Sequence, residues 1–206
     1  MSQFAKGALV QVSTTAQPQL VSFQYNPESL KRNISAAATK KESKSPKSPL
    51  EAPGEDINMT LKISAMDELN EKDPVASQYG IYPQLAALEC MVNPSSVFVL
   101  ANAAANQMGT TEILPPKESI TLLIWGQGRV LPVTIKSYDI NETYHDSKLN
   151  PIFAEVGVSL SVVKYSDVSL TDPVFAMTLK QLYTLESQAA MNSSDVSSLQ
   201  SLIPQI

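Results

Sequence analysis

A chain of 206 residues, 43% hydrophobic and 17% charged, falls outside the collagen, coiled-coil and wholly disordered classes. Fifteen Lys and Arg against twenty Asp and Glu give a net charge of -5, which argues against a phosphate-neutralising nucleic-acid binder. With one cysteine, Cys90, and one histidine, His145, neither an intrachain disulfide nor a cysteine-based zinc cluster can form, and a Ser-His-Asp triad is possible only through His145.

The length is enough for one domain with a buried core, or one domain plus a short appendage. No segment reaches the roughly 18 apolar residues of a membrane helix. Met1-Ser2-Gln3-Phe4 does not open a secretory leader, so exit from a cell would need another route such as lysis. Seven glycines form neither a dinucleotide-binding nor a P-loop pattern.

The opening reads as strands: Phe4 to Val12, a turn over Thr14 to Gln19, then the alternating Leu20 to Tyr25, stopped by Asn26-Pro27. Thr39 to Pro53 mixes Lys40, Lys41, Lys44 and Lys47 with serines and prolines, and Leu50 is its one large apolar residue. Such a stretch buries too little to offset its ordering entropy, so residues 39–56 are expected to form a flexible arm. Ile57 to Met66 alternates cleanly, a half-buried strand. Polar Asp67 to Gln78 reads as a loop.

Tyr82 to Val92 is predicted to be a helix, with Pro83 in its first turn, Leu85, Leu88 and Val92 at helical spacing, and Asn93-Pro94 as its stop. Cys90 on it reads as a small core or boundary residue. Val97 to Leu100 suggests a strand and Ala101 to Met108 a weak helix or loop. Ile120 to Trp125, Gly126-Gln127-Gly128 and Arg129 to Tyr138 form a predicted hairpin, with Pro132 marking an edge or a bulge. A polar run, Asn141 to Asn150, then leads to the strand Ala154 to Val163. One face of that strand is Val156, Val158, Leu160 and Val162; the other is Glu155, Gly157, Ser159 and Ser161. Thr171-Asp172-Pro173 starts an amphipathic helix to about Met191 that carries Leu182 and Leu185, and a Ser-rich stretch leads to apolar Leu199, Leu202, Ile203 and Ile206.

Catalytic patterns are weak. His145 has Glu142 and Asp146 beside it, but neither a nucleophile elbow nor an HExxH helix accompanies it. Asp67, Glu68, Glu71 and Asp73 lack the ligand order of a calcium loop and read as a solvated acidic loop. No catalytic residue, metal site or cofactor is expected.

Three segments resemble the tube-domain proteins of contractile injection systems, the phage-tail-like particles of bacteria. Val21-Ser22-Phe23-Gln24-Tyr25-Asn26-Pro27-Glu28-Ser29-Leu30 is similar to the family's "FQYNPE" signature. Leu122-Leu123-Ile124-Trp125-Gly126 is similar to its strand ending in Trp-Gly. Val133 to Val163, with Leu149-Asn150-Pro151-Ile152-Phe153-Ala154-Glu155-Val156 at its turn, follows its strand-loop-strand. The likeness covers most of residues 1–165; residues 166–206 form a helical tail where some members carry a peptidoglycan-binding LysM domain.

The resemblance implies a mainly β fold with some α: a tail-tube-like β-sandwich or split barrel with one packed helix and a C-terminal helical tail. It implies a non-enzymatic, homo-hexameric ring at the baseplate end of the inner tube. Its partners would be the tube protein, spike or hub and other baseplate subunits, with neither nucleic acid nor membrane insertion. Assembly would be cytoplasmic, with release of the particle by lysis. Glu155, Gly157, Ser159 and Ser161 are then candidates for a channel or inter-subunit face. Lys40, Lys41, Lys44 and Lys47 are candidates for a contact arm, and Leu182, Leu185 and Leu199 for tail docking. The alternative is a peptidoglycan- or carbohydrate-binding β-sandwich that tethers a particle to a cell wall.

Overall fold

The structure, a computed structural model, describes residues 6–12, 19–36, 52–109, 119–126 and 128–191. It is a mixed fold, a seven-stranded antiparallel sheet with several helices. The strands are β1 (Ala8–Val12), β2 (Gln19–Ser22), β3 (Leu30–Ser35), β4 (Gly54–Ser64), β5 (Ile120–Ile124), β6 (Val130–His145) and β7 (Pro151–Val162). The helices are α1 (Met66–Asn70), α2 (Pro74–Tyr79), α3 (Tyr82–Val92), α4 (Ser96–Gln107) and α5 (Pro173–Met191). All seven strands share one hydrogen-bonded sheet in the order β2-β1-β5-β6-β7-β4-β3.

The alternation in β4 and β7 sets the core. Ile57, Met59, Leu61 and Ile63 point inward opposite Leu160, Val158, Val156 and Ala154. Leu9, Val21, Phe23, Leu123, Leu131 and Val133 join the same cluster from the other end of the sheet, and α3 covers it with Leu85, Leu88 and Met91. Each large apolar side chain buried in this way contributes about 1.5–3 kcal/mol. α3 is tied down by Gln11 Nε2, which donates to the Met91 carbonyl at 2.8 Å.

This sheet cannot be flat. With strands about 4.8 Å apart, β2 and β4 would lie about 24 Å from each other across the four strands between them. Yet Gln24, two residues past β2, accepts through Oε1 from the Ser64 amide of β4 at 2.8 Å. Residues 23–29 run from one border strand to the other and close the curl. Phe23 is buried in the core and its amide donates to the Gly7 carbonyl at 2.8 Å. Asn26 Oδ1 accepts from the Gly7 amide at 3.0 Å, and Glu28 pairs with Lys62. Phe23 also meets Trp125, with ring centroids 6.3 Å apart. Two of the three sequence segments that carried the resemblance therefore touch at this seam.

The helix over 82–92, the helix from Pro173 to Met191, the β5–β6 hairpin and the alternation of β4 and β7 are as predicted. Several expectations are corrected. Asp67 to Gln78 is not a loop: it forms α1 and α2, because Asp73 caps α2 by accepting from the Ala76 amide at 2.8 Å and Pro74 opens the first turn. Val97 to Leu100 is not a strand. It belongs to α4, whose Ser95 hydroxyl caps the Phe98 amide and whose alanines favour helix. β3 was not predicted. The polar run from Asn141 is not a connection but continues β6 to His145, since the long partner β7 supplies ladder bonds that outweigh composition. β4 begins at Gly54, inside the expected arm.

Pro132 marks neither an edge strand nor the bulge, which lies between Ile135 and Ser137. It sits at the end of the β6–β7 ladder, where its carbonyl accepts from the Val163 amide at 2.9 Å, so only a terminal rung lacks a donor. Residues 14–18 of the expected turn and 39–51 of the expected arm lie outside the described residues.

Candidate functional site

The feature that organises the surface is the outer face of β6, β7, β4 and β3. Because side chains alternate along a strand, every residue opposite a core position points outward here. The register sets them in rows. Ser161 lies between Asp56 and Thr134, and Ser159 between Asn58 and Ser137. Gly157 lies between Thr60 and Asp139, and Glu155 between Lys62 and Asn141. β3 adds Asn33 beside Asp56 and Lys31 beside Asn58. Glu155, Gly157, Ser159 and Ser161, singled out from the sequence, thus form the spine of one four-stranded polar face.

Small side chains there are not demanded by packing. A Cβ on Gly157 would meet Asp139 at 3.5 Å, an ordinary contact. Two ion pairs tie charges on the face to a neighbouring element. Lys136 Nζ lies 2.7 Å from Asp56 Oδ1, reaching across β7, and Lys62 Nζ lies 2.7 Å from Glu28 Oε1. The hydrogen bond from Lys136, with a further one from Ser161, holds the Asp56 carboxyl below its ordinary value; the hydrogen bond and charge of Lys62 do the same for Glu28. A carboxyl lowered in the folded state stabilises above its ordinary pKa and loses that contribution as pH falls through the lowered value. Each carboxyl is expected to titrate below the ordinary midpoint of its residue type by carbon-detected NMR. Ordinary midpoints for both would mean that the ion pairs do not persist in solution. Exposed pairs of this kind order a surface more than they stabilise it.

Among the described residues, two borders of this face lack a neighbouring strand. β3 ends the sheet. β5 pairs only with Val130 to Val133, so from Thr134 to His145 β6 has β7 on one side and, among the described residues, no strand on the other. The signal for this was present in the sequence: Tyr138 and Ile140 continue the alternation of the predicted strand. β3 carried little signal, since only Leu30 and Ile34 are large apolar residues in it.

The remaining candidates are placed as follows. Leu182 and Leu185 lie exposed on α5. Lys40, Lys41, Lys44, Lys47 and Leu199 lie outside the described residues. Cys90 is exposed on the outer side of α3, not a core or boundary residue. His145 Nε2 is 3.7 Å from Glu142 Oε2 at the exposed end of β6. Asp67, Glu68 and Glu71 sit on or beside α1, and Asp73 caps α2. Among the described residues, no group of three or more His, Cys, Asp or Glu is placed to hold a metal ion. No single helix among them is long and apolar enough to cross a membrane; only α3 and α4 taken together, bent by 43°, have the length and composition.

No protein-family model matches the chain, and no curated protein is similar to it.

Proposed function

We propose that this protein is a non-catalytic structural subunit of a contractile, phage-tail-like particle. Copies form a six-membered ring at the baseplate end of the inner tube and join the spike hub to the tube. The observation that carries this reading is the polar four-stranded face with an unpaired strand at each border. Exposed strand edges invite pairing, so two different edges on one chain offer two joints to neighbouring copies. When the two edges are different surfaces of one chain, head-to-tail pairing continues from copy to copy and closes into a ring if the rotation allows. Lys136 on the free half of β6 is paired with Asp56 and Arg32 on β3 with Glu55, which leaves Lys31 on one border against Asp139 and Glu142 on the other, so the two borders are opposite in charge. Joined through them, the polar faces form one continuous wall, smooth and balanced in charge, as the lining of a channel needs to be. The curled sheet suits the tail-tube-like split barrel that the sequence resemblance implies. On the same reading the particle assembles in the cytoplasm and leaves by lysis, and the ring needs neither cofactor nor nucleic acid.

Light scattering on the purified full chain tests the reading. The expected mass is about six times the 22.3 kDa chain, alone or with its tube or hub partner. Lys31→Glu and Asp139→Lys are each expected to weaken assembly about tenfold, and the double reversal to restore it. A single-chain mass under all these conditions, with both reversals silent, would overturn it.

A second reading has one observation in its favour. Tyr79, Tyr82 and Tyr144 are exposed, and the Gln78 carbonyl accepts from Asn150 Nδ2, which brings the α2–α3 corner against the β6–β7 hairpin tip. Aromatic rings gathered at one end are what a wall-polysaccharide tether would present. Co-sedimentation with purified cell wall, lost in Tyr144→Ala, would favour it over the ring.

A further inference from the structure

α4 is amphipathic in the wrong sense. Phe98, Asn102 and Ala105 lean toward the body, while Val97, Leu100, Ala101, Ala104 and Met108 face solvent. Val97 is 76% exposed and Leu100 73%, and no residue of the helix is buried. A surface helix ordinarily turns its polar side outward. No charged residue occurs between Glu89 and Glu112, so this face carries no charge.

α5 has the complementary feature. Val174 and Thr178 are buried against the body, and Gln188 lies over Gly128. The opposite face is an open groove along Ala176, Leu179, Lys180, Tyr183, Ser187 and Met191, with Tyr183 63% exposed. At 1.5 Å per residue, α4 is about 18 Å long and this face about 23 Å.

We infer that α4 of one copy packs antiparallel into the Ala176–Met191 face of α5 on the next copy. This rests on the ring reading, to which it adds a second, helical contact. An antiparallel register with Val97 on Met191 puts Ala101 on Ser187, Ala104 beside Tyr183 and Met108 on Lys180. Small residues then meet at the closest approach, and the large ring of Tyr183 fills the space over Ala104. The charges fit as well. α4 has no basic residue in its last turn, and Lys180 supplies a cation to the negative end of its dipole. Because the two faces differ, the contact is head-to-tail.

The test uses the full chain with Cys90→Ser. Ala101→Cys and Ser187→Cys are made separately, mixed and mildly oxidised, with light scattering run in parallel. The mixture is expected to give a covalent dimer, and the double variant a ladder of larger products, while each single variant gives neither. Leu100→Glu, at an exposed position, is expected to weaken association at least tenfold with an unchanged circular dichroism spectrum. If rings form but the mixture yields no dimer, or Ala101→Cys alone links as well as the mixture, the α4–α5 contact is wrong and the ring reading stands. If the chain remains single at every concentration, both alone and with its tube or hub partner, both fall.

Discussion

Gly80→Ala is expected to destabilise the fold by about 3 kcal/mol or more, since backbone strain and overpacking act together at this position. Gly80 has φ 60° and ψ -132°, a conformation essentially restricted to glycine. A Cβ there would lie 2.1 Å from the Pro151 carbonyl oxygen, a backbone atom that cannot swing aside. The same oxygen accepts from the Ile81 amide at 3.0 Å, so the clash falls on the bond that ties the α2–α3 corner to the start of β7. For a chain of this size the loss corresponds to a fall in Tm of about 6–12 °C, read by thermal melting. Gly109→Ala is the control. Gly109 also has positive φ, but a Cβ there meets nothing within 4 Å, so only the conformational cost of about 1–2 kcal/mol applies. Equal melting temperatures for the two variants would show that the Gly80–Pro151 approach is not tight in solution.

Phe23→Ala is expected to cost about 3–5 kcal/mol, the range for emptying a buried aromatic site. Phe23 is 2% exposed and closes the curl of the sheet against Trp125. Trp125 is the only tryptophan in the chain, so its emission reports on the seam directly. A red shift is expected along with a lower urea midpoint. Gly7→Ala attacks the same ring from the other side, because its Cβ would sit 2.5 Å from the Phe23 side chain. The two changes share one contact, and the double variant is expected to lose less than the two singles added together. Unchanged tryptophan emission in Phe23→Ala would mean that the border strands stay joined without this ring.

How far the sequence reveals this fold depends on where the stabilising partner sits. β4 and β7 are legible because Ile57 to Ile63 and Val156 to Leu160 carry the alternation in their own residues. α3 and α5 are legible for the same reason, with proline at the start and apolar residues at helical spacing. β3 is not, because Lys31, Arg32 and Asn33 are polar and the strand is held by its ladder to β4 and the Arg32–Glu55 ion pair. The outer half of β6 is hidden likewise, since Asn141 to His145 owe their extended form to β7. The polar spine of the candidate site, Glu155 to Ser161, follows from period-two alternation alone. Its borders do not, because a free edge is a property of which strands lie beside each other, and β5 stops at Ile124 for reasons that lie outside β6. α4 was ambiguous because Val97 to Leu100 is β-branched and aromatic, while the capping Ser95 and the alanines that follow decide for helix.

The strand order also constrains the timing of folding. β4 pairs with β7, yet about 90 residues separate the end of one from the start of the other. At roughly 5–20 residues per second, a ribosome takes about 5–20 s to cover that distance. Throughout this interval Ile57, Met59, Leu61 and Ile63 lack their β7 partners, and β1 likewise waits for β5. Such long-range pairings are slow to form and open to mispairing while they wait. In the crowded cell the nascent chain is therefore most vulnerable midway through its synthesis, and a holdase that shields residues 57–63 would raise its yield.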